Sequence, residues 1–182
     1  MTKKECSILR GVAILCIILH NFCKRIPFAV PENEYSFSLD NVLLFWNTLQ
    51  LDTIFIQFFS FWGHLGVPAF VLLSGYGLAL KYDRIEVTIP LFSLTYYTWL
   101  LVPLAITILA IGIVPAIPRQ FSSVFDFVGK ISMYAFVIHP IVREMNFLYD
   151  LNPYMGILLY VTITLTLSYL IDRILTKPIN NK

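Results

Sequence analysis

The sequence predicts an all-α membrane protein, a polytopic transmembrane helix bundle of about five spans with one further helix lying at the interface. Composition is the first ground: 58% of the chain is hydrophobic and 13% charged, with mean hydropathy +0.75, whereas soluble domains run at about 45–50% apolar and about 25% charged. Long charge-free runs are the second ground, since a helix needs roughly 20 apolar residues to cross a bilayer. Thirdly, short clusters of proline and charge separate those runs. The 182 residues leave room for about five such crossings in a single domain, 1–182. A net charge of +2 is too balanced to suggest a nucleic-acid partner.

The first span is the run SILRGVAILCIILHNF at 7–22, inside a stretch from Cys6 to Cys23 whose one formal charge is Arg10. Eighteen helical residues rise roughly 27 Å, close to the hydrocarbon thickness. Lys3 and Lys4 precede this run as they would in a signal peptide. Arg10 interrupts it, however, and no small-x-small cleavage pattern follows, so a retained anchor is expected. All three cysteines, Cys6, Cys16 and Cys23, sit on this helix and cannot staple distant segments; they read as packing residues.

Residues 24–52 mix prolines, acids and aromatics. Val42, Leu43, Phe45, Trp46 and Leu49 recur at helical spacing after a candidate N-cap at Asp40, which predicts a short surface helix over 41–51 with Trp46 at headgroup level. The run 53–80 is free of formal charge; its expected span is 65–80, with 54–62 an aromatic approach. Residues 87–118, also uncharged, predict a long span kinked by Pro90, Pro103 and Pro115. A polar connector is expected over 119–130, then a shorter apolar segment over 131–142 ending at His139-Pro140 and Arg143-Glu144, and a last span over 151–171. The basic residues Lys3 and Lys4 place the N-terminus in the cytoplasm, but five crossings then leave Arg173, Lys177 and Lys182 outside, against the usual bias. Either one segment is re-entrant or double, or an odd number of crossings is missing.

Ionisable groups inside a span cost about 3 kcal/mol or more on insertion scales, which makes Arg10 and His20 candidate functional positions. Arg10 alone could equally snorkel to the interface, and His20 alone could be an interhelical hydrogen-bonding residue. A second informative run is GHLGVPAFVLLSGYG at 63–77. Small residues allow close helix approach, and Ser74 beside glycines can present its hydroxyl to a polar ligand or bond its own helix. Tyr76 could serve as an interface anchor. His64 and Lys130 read as structural. The three histidines lie on three separate segments without ligand spacing, so no metal site is expected.

Three runs together resemble a known family: RGVAIL followed by His20, the Gly66-Val-x-x-Phe-x-x-x-Ser-Gly-Tyr76 run, and GKISMYAFVIHP at 129–140. They are similar, in order, to signatures of the integral-membrane acyltransferases of the acyltransferase-three type, which O-acylate sugars and surface polysaccharides. The ending YLIDRILTKP at 169–178 is similar to that family's closing helix, and the likeness covers 5–25, 54–84 and 124–178. The resemblance implies transfer of an acyl group, most simply acetyl, from a cytoplasmic thioester such as acetyl-CoA to a carbohydrate or glycolipid hydroxyl. It implies no bound cofactor and a multi-pass protein of a bacterial inner (cell) membrane. His20 would be the base and Arg10 the anion partner, with Ser74, Tyr76 and His139 as supporting substrate-binding groups; His139 alone could also be an interfacial helix-ending residue.

Two departures stand out. Nine residues separate Arg10 from His20 where the family usually has ten. Ten helical steps leave the pair about 80° apart on the wheel, whereas eleven would leave about 20°. Members of the family also have about ten spans and a basic cluster opening the third, which Arg84-Ile85 and the IPLF run at 89–92 resemble only faintly. A shortened family member is therefore expected, with middle spans missing. Three readings follow: an acyltransferase, in which a second copy could rebuild the cavity; an inactive relative acting as a membrane or assembly protein; and, with less support because no repeat is evident, a transporter.

Overall fold

The computed structural model describes residues 2–32, 38–81 and 118–176, with side chains for all of these except 76–81 and 119. Every regular element among them is helical, and none is a strand. The order is α1 (Lys3–Cys23), α2 (Leu39–Thr48), α3 (Ile54–Trp62), a 3-10 turn (Gly63–Leu65), α4 (Gly66–Lys81), α5 (Arg119–Lys130), α6 (Ser132–Arg143), a second 3-10 turn (Asn146–Leu148) and α7 (Pro153–Leu175). Three stretches are long and apolar enough to cross a membrane: Lys3–Cys23, Ile54–Gly75 and Pro153–Leu175. A fourth exists if α5 and α6, interrupted at Ile131, count as one broken crossing. The span expected over 87–118 lies outside the described residues apart from Pro118, so the described residues carry three or four of the about five crossings expected.

Three details differ from the sequence expectation. The surface helix is capped by Ser38, whose hydroxyl accepts from the Asn41 amide at 3.4 Å, and not by Asp40, which lies in the first turn. The aromatic stretch at 54–62 is itself helical, so the crossing starts at Ile54 instead of residue 65. The segment 119–130, expected as a polar connector, is the helix α5, which turns Phe125, Val128 and Gly129 inward at helical spacing. Helix α6, over Ser132–Arg143, coincides with the apolar segment expected over 131–142 and carries Pro140 inside it. Proline is tolerated there at the loss of one backbone hydrogen bond.

The chain divides into two compact units. The first comprises Met1–Leu15 with Leu65–Lys130, the second Cys16–His64 with Ile131–Lys182. In lipid, apolar burial does not by itself drive helices together; close backbone approach and interhelical hydrogen bonds do. The first unit uses both. A Cβ added to Gly11 would overlap the carbonyl of Phe125, and one added to Gly129 would overlap the carbonyl of Ser7, so α1 and α5 meet backbone to backbone. At the same crossing Ser7 Oγ donates to the Asp126 carbonyl at 3.1 Å. Against α4, Cys6 and Leu9 pack on Leu73, and the Cys6 thiol points to the Leu73 carbonyl at 3.7 Å.

In the second unit Val30, Phe45 and Phe61 form an apolar cluster flanked by Val42 and Leu49, which ties α2 to α3. The buried Gln57 anchors the loop after α1: its amide oxygen accepts from the Val30 amide at 3.0 Å and its nitrogen donates to the Phe28 carbonyl at 3.1 Å. Ser60 Oγ donates to the Val30 carbonyl at 2.9 Å. The ring of Phe22 stacks on both Tyr149 and Tyr160, at 4.7 and 5.1 Å between centroids. Only 28% of the most apolar stretch of α7 is covered by protein, leaving Met155, Leu158 and Leu170 exposed, as a lipid-facing helix would.

The glycine crossings are testable. Gly11→Ala and Gly129→Ala should each lose about 1–3 kcal/mol of stability, because backbone has to move. Gly75→Ala, where a Cβ would meet nothing within 4 Å, should be neutral or slightly stabilising. Reversible unfolding of the purified variants in mixed micelles measures the difference.

Candidate functional site

His20 sits one turn before the end of α1 and is 2% exposed, facing protein. Its Nδ1 lies 3.1 Å from the Phe59 carbonyl oxygen. A carbonyl can only accept, so Nδ1 carries the proton and Nε2 keeps its lone pair. Nε2 is removed from solvent and has no hydrogen-bond partner among the described residues. Such an atom costs about 1–3 kcal/mol in a folded interior. Local backbone explains how the ring is reached. Phe59 lies in the last turn of α3, where its carbonyl also accepts from the Gly63 amide. Gly63 itself is pressed against α1: a Cβ there would lie 2.7 Å from His20 Cβ and 3.0 Å from the Cys16 carbonyl.

His64, the next residue, lies close by. Its Nδ1 donates to the Phe61 carbonyl at 2.7 Å, and its ring meets that of His20 edge to face, 5.8 Å between centroids. Read from sequence as structural, this histidine stands in direct contact with the candidate base.

One residue beyond His20, Asn21 opens a polar network linking the ends of α1 and α6. Its Nδ2 donates to the Ile17 carbonyl at 3.0 Å and approaches His139 Nε2 at 3.5 Å, while its Oδ1 accepts from Arg143 Nη1 at 2.9 Å. His139 Nδ1 donates to the Ala135 carbonyl at 3.2 Å, which fixes the same tautomer as in His20 and leaves Nε2 to accept from Asn21. Tyr160 OH in turn donates to the His139 carbonyl at 3.0 Å. At the outer end Arg25 and Arg143 share Glu144, at 2.8 and 3.3 Å, and Tyr149 OH donates to the Arg143 carbonyl. The hydrogen bond from Arg25 holds the Glu144 carboxyl below the usual carboxylate range and pushes the guanidinium value up. Burial pushes the Tyr149 phenol up.

The residues singled out in the sequence are thus distributed between the units. His20 and His139 belong to the second, bridged through Asn21, which neighbours the one and bonds the other. Arg10 and Ser74 belong to the first, both partly buried. The Nε of Arg10 is shielded from solvent and lacks a partner among the described residues. The Tyr76 side chain lies outside the described ones. Sequence reasoning missed Asn21, Arg143 and Glu144. The available signal was the spacing of His139 and Arg143, one turn apart on a single helix face. Among the described residues no group of three histidine, cysteine or acidic side chains could hold a metal ion.

The Arg25–Glu144 pair predicts an acid limb in stability. With the folded value of Glu144 below its unfolded one, the pair contributes fully above the unfolded value, about 4.3, and its contribution fades as pH falls through the folded value. Arg25→Gln should therefore be less stable than the parent near neutrality, the two converging in acid. Mixed-micelle unfolding across that pH range reads this directly.

Comparison with known proteins yields no relative: no family model, no curated protein and no solved structure matches the chain.

Proposed function

We propose that this protein is a membrane-bound O-acyltransferase that moves an acyl group, most simply acetyl, from a cytoplasmic thioester donor to a carbohydrate hydroxyl in a bacterial inner membrane. The observation that carries the reading is the state of His20: an imidazole held by its Nδ1–H on the Phe59 carbonyl, with a lone pair on Nε2 that no described residue uses. Transfer of an acyl group to a hydroxyl requires a base for the hydroxyl proton, and imidazole is suited to that task near neutral pH. The likeness of three sequence runs to the acyltransferase-three family supports the same chemistry.

In this reading His20 Nε2 takes the acceptor proton as the hydroxyl oxygen attacks the thioester carbonyl. The family resemblance implies Arg10 as the anion partner, for the phosphates of acetyl-CoA or the oxyanion. The resemblance likewise implies Ser74, Tyr76 and His139 as substrate-binding groups. A second reading, a shortened and inactive family member acting as a membrane or assembly protein, is favoured by one observation: the basic cluster that the family uses near its third span is only faintly echoed at Arg84-Ile85.

Purified protein in nanodiscs, supplied with acetyl-CoA and a carbohydrate acceptor, separates the two through release of free thiol and formation of acylated product. Active protein should lose about 10²–10⁴-fold in rate on His20→Ala and a comparable share on Arg10→Ala. Equal rates for all three proteins would remove the catalytic assignment and leave the non-enzymatic reading.

A further inference from the structure

Resting on the acyl-transfer reading, we propose that His64 is a second proton-transfer residue, relaying to and from Nε2 of His20. Three observations converge on this pair. His20 is 2% exposed, so a proton arriving on it has no direct path to water among the described residues. The ring of His64, only partly covered, is in edge-to-face contact with the ring of His20 at 5.8 Å between centroids. Each ring donates its Nδ1–H to a carbonyl of the same helix, α3: His20 to Phe59 and His64 to Phe61. That arrangement gives both imidazoles a lone pair on Nε2. A water between the two rings can therefore carry a proton from one to the other without either changing its Nδ1 bond.

The approach is set by backbone as well as by side chains. A Cβ at Gly63 would fall 2.7 Å from His20 Cβ, so the absence of a side chain at 63 is what lets the 3-10 turn carrying His64 lie against α1 at the level of His20.

The step balances as follows. As the acceptor oxygen forms its bond to the thioester carbonyl carbon and the carbon–sulfur bond breaks, the hydroxyl proton passes to His20 Nε2. His20 gives that proton to His64 Nε2 across one water, because the two Nε2 atoms share no hydrogen bond, and His64 passes it on to the departing thiolate, directly or through bulk water. The products are the ester and the free thiol, with both imidazoles neutral again. His64 is thus a proton carrier and binds neither the acyl group nor the acceptor.

The test compares parent, His20→Ala, His64→Ala and His64→Gln in nanodiscs with acetyl-CoA and the acceptor, with and without added imidazole, after gel filtration shows each variant monodisperse. The expected result is a loss of at least about 10-fold in kcat for both His64 variants, with KM little changed. Free imidazole should restore His64→Ala in proportion to its concentration, a rescue that a packing role cannot give. Loss of transfer in His20→Ala together with a normal rate in the His64 variants, or with a loss that imidazole leaves untouched, overturns the relay alone. No transfer by the parent, or equal transfer by His20→Ala, overturns the acyl-transfer reading and the relay with it.

Discussion

The hydrogen bond from His20 Nδ1 to the Phe59 carbonyl is the contact that orients the buried imidazole of the second unit. An apolar helix that carries an imidazole must give the ring a partner inside the protein, because lipid offers none. Here the partner is a backbone oxygen in the last turn of α3, already engaged by the Gly63 amide and still holding a second lone pair. Backbone cannot rotate away as a side chain can. The bond therefore fixes the tautomer and the direction of the ring together, and the lone pair on Nε2 follows without any further group.

Glycine does related work in both units. At Gly11 and Gly129 it allows two helices to meet main chain to main chain, with Ser7 adding a hydrogen bond at the same crossing. At Gly63 it lets a 3-10 turn reach α1, and at Gly156 it gives the Phe22 ring space 2.9 Å from where a Cβ would stand. Where apolar burial is no driving force, such approaches and the polar bonds they permit hold helices in register. Chains that pass between these contacts, such as the loop pinned by Gln57 and Ser60, are fastened by buried amide and hydroxyl bonds instead.

Much of the fold was legible because charge is scarce. The run at 7–22 and the uncharged stretch from 53 onward mark their own helices, and the helical spacing of Val42, Phe45 and Leu49 marked α2. The cap was misread since Asp40 and Ser38 are both good capping types, and only the extended backbone at Ser38 decides between them. Helix α5 was hidden because Arg119, Asp126, Lys130 and two serines dominate a short segment whose inward face is narrow. Of the candidate site, His20 was legible as an ionisable group within a span. Its companions were not. Asn21 and Arg143 are separated by 122 positions, and the bond between them exists only after α1 and α6 have packed. His64, a lone histidine among aromatics, gave no sign in sequence of the ring it touches.

The amide of Asn21 has a consequence of its own. It can satisfy both neighbours in one orientation only, with oxygen toward Arg143 and nitrogen toward His139. The bridge is therefore polar in the sense that a diode is: it tolerates a neutral ring on one side and a cation on the other, and it forbids the reverse. Spontaneous deamidation of this single residue would keep the shape and invert that logic, turning a donor into an acceptor beside His139 and drawing a proton onto its ring.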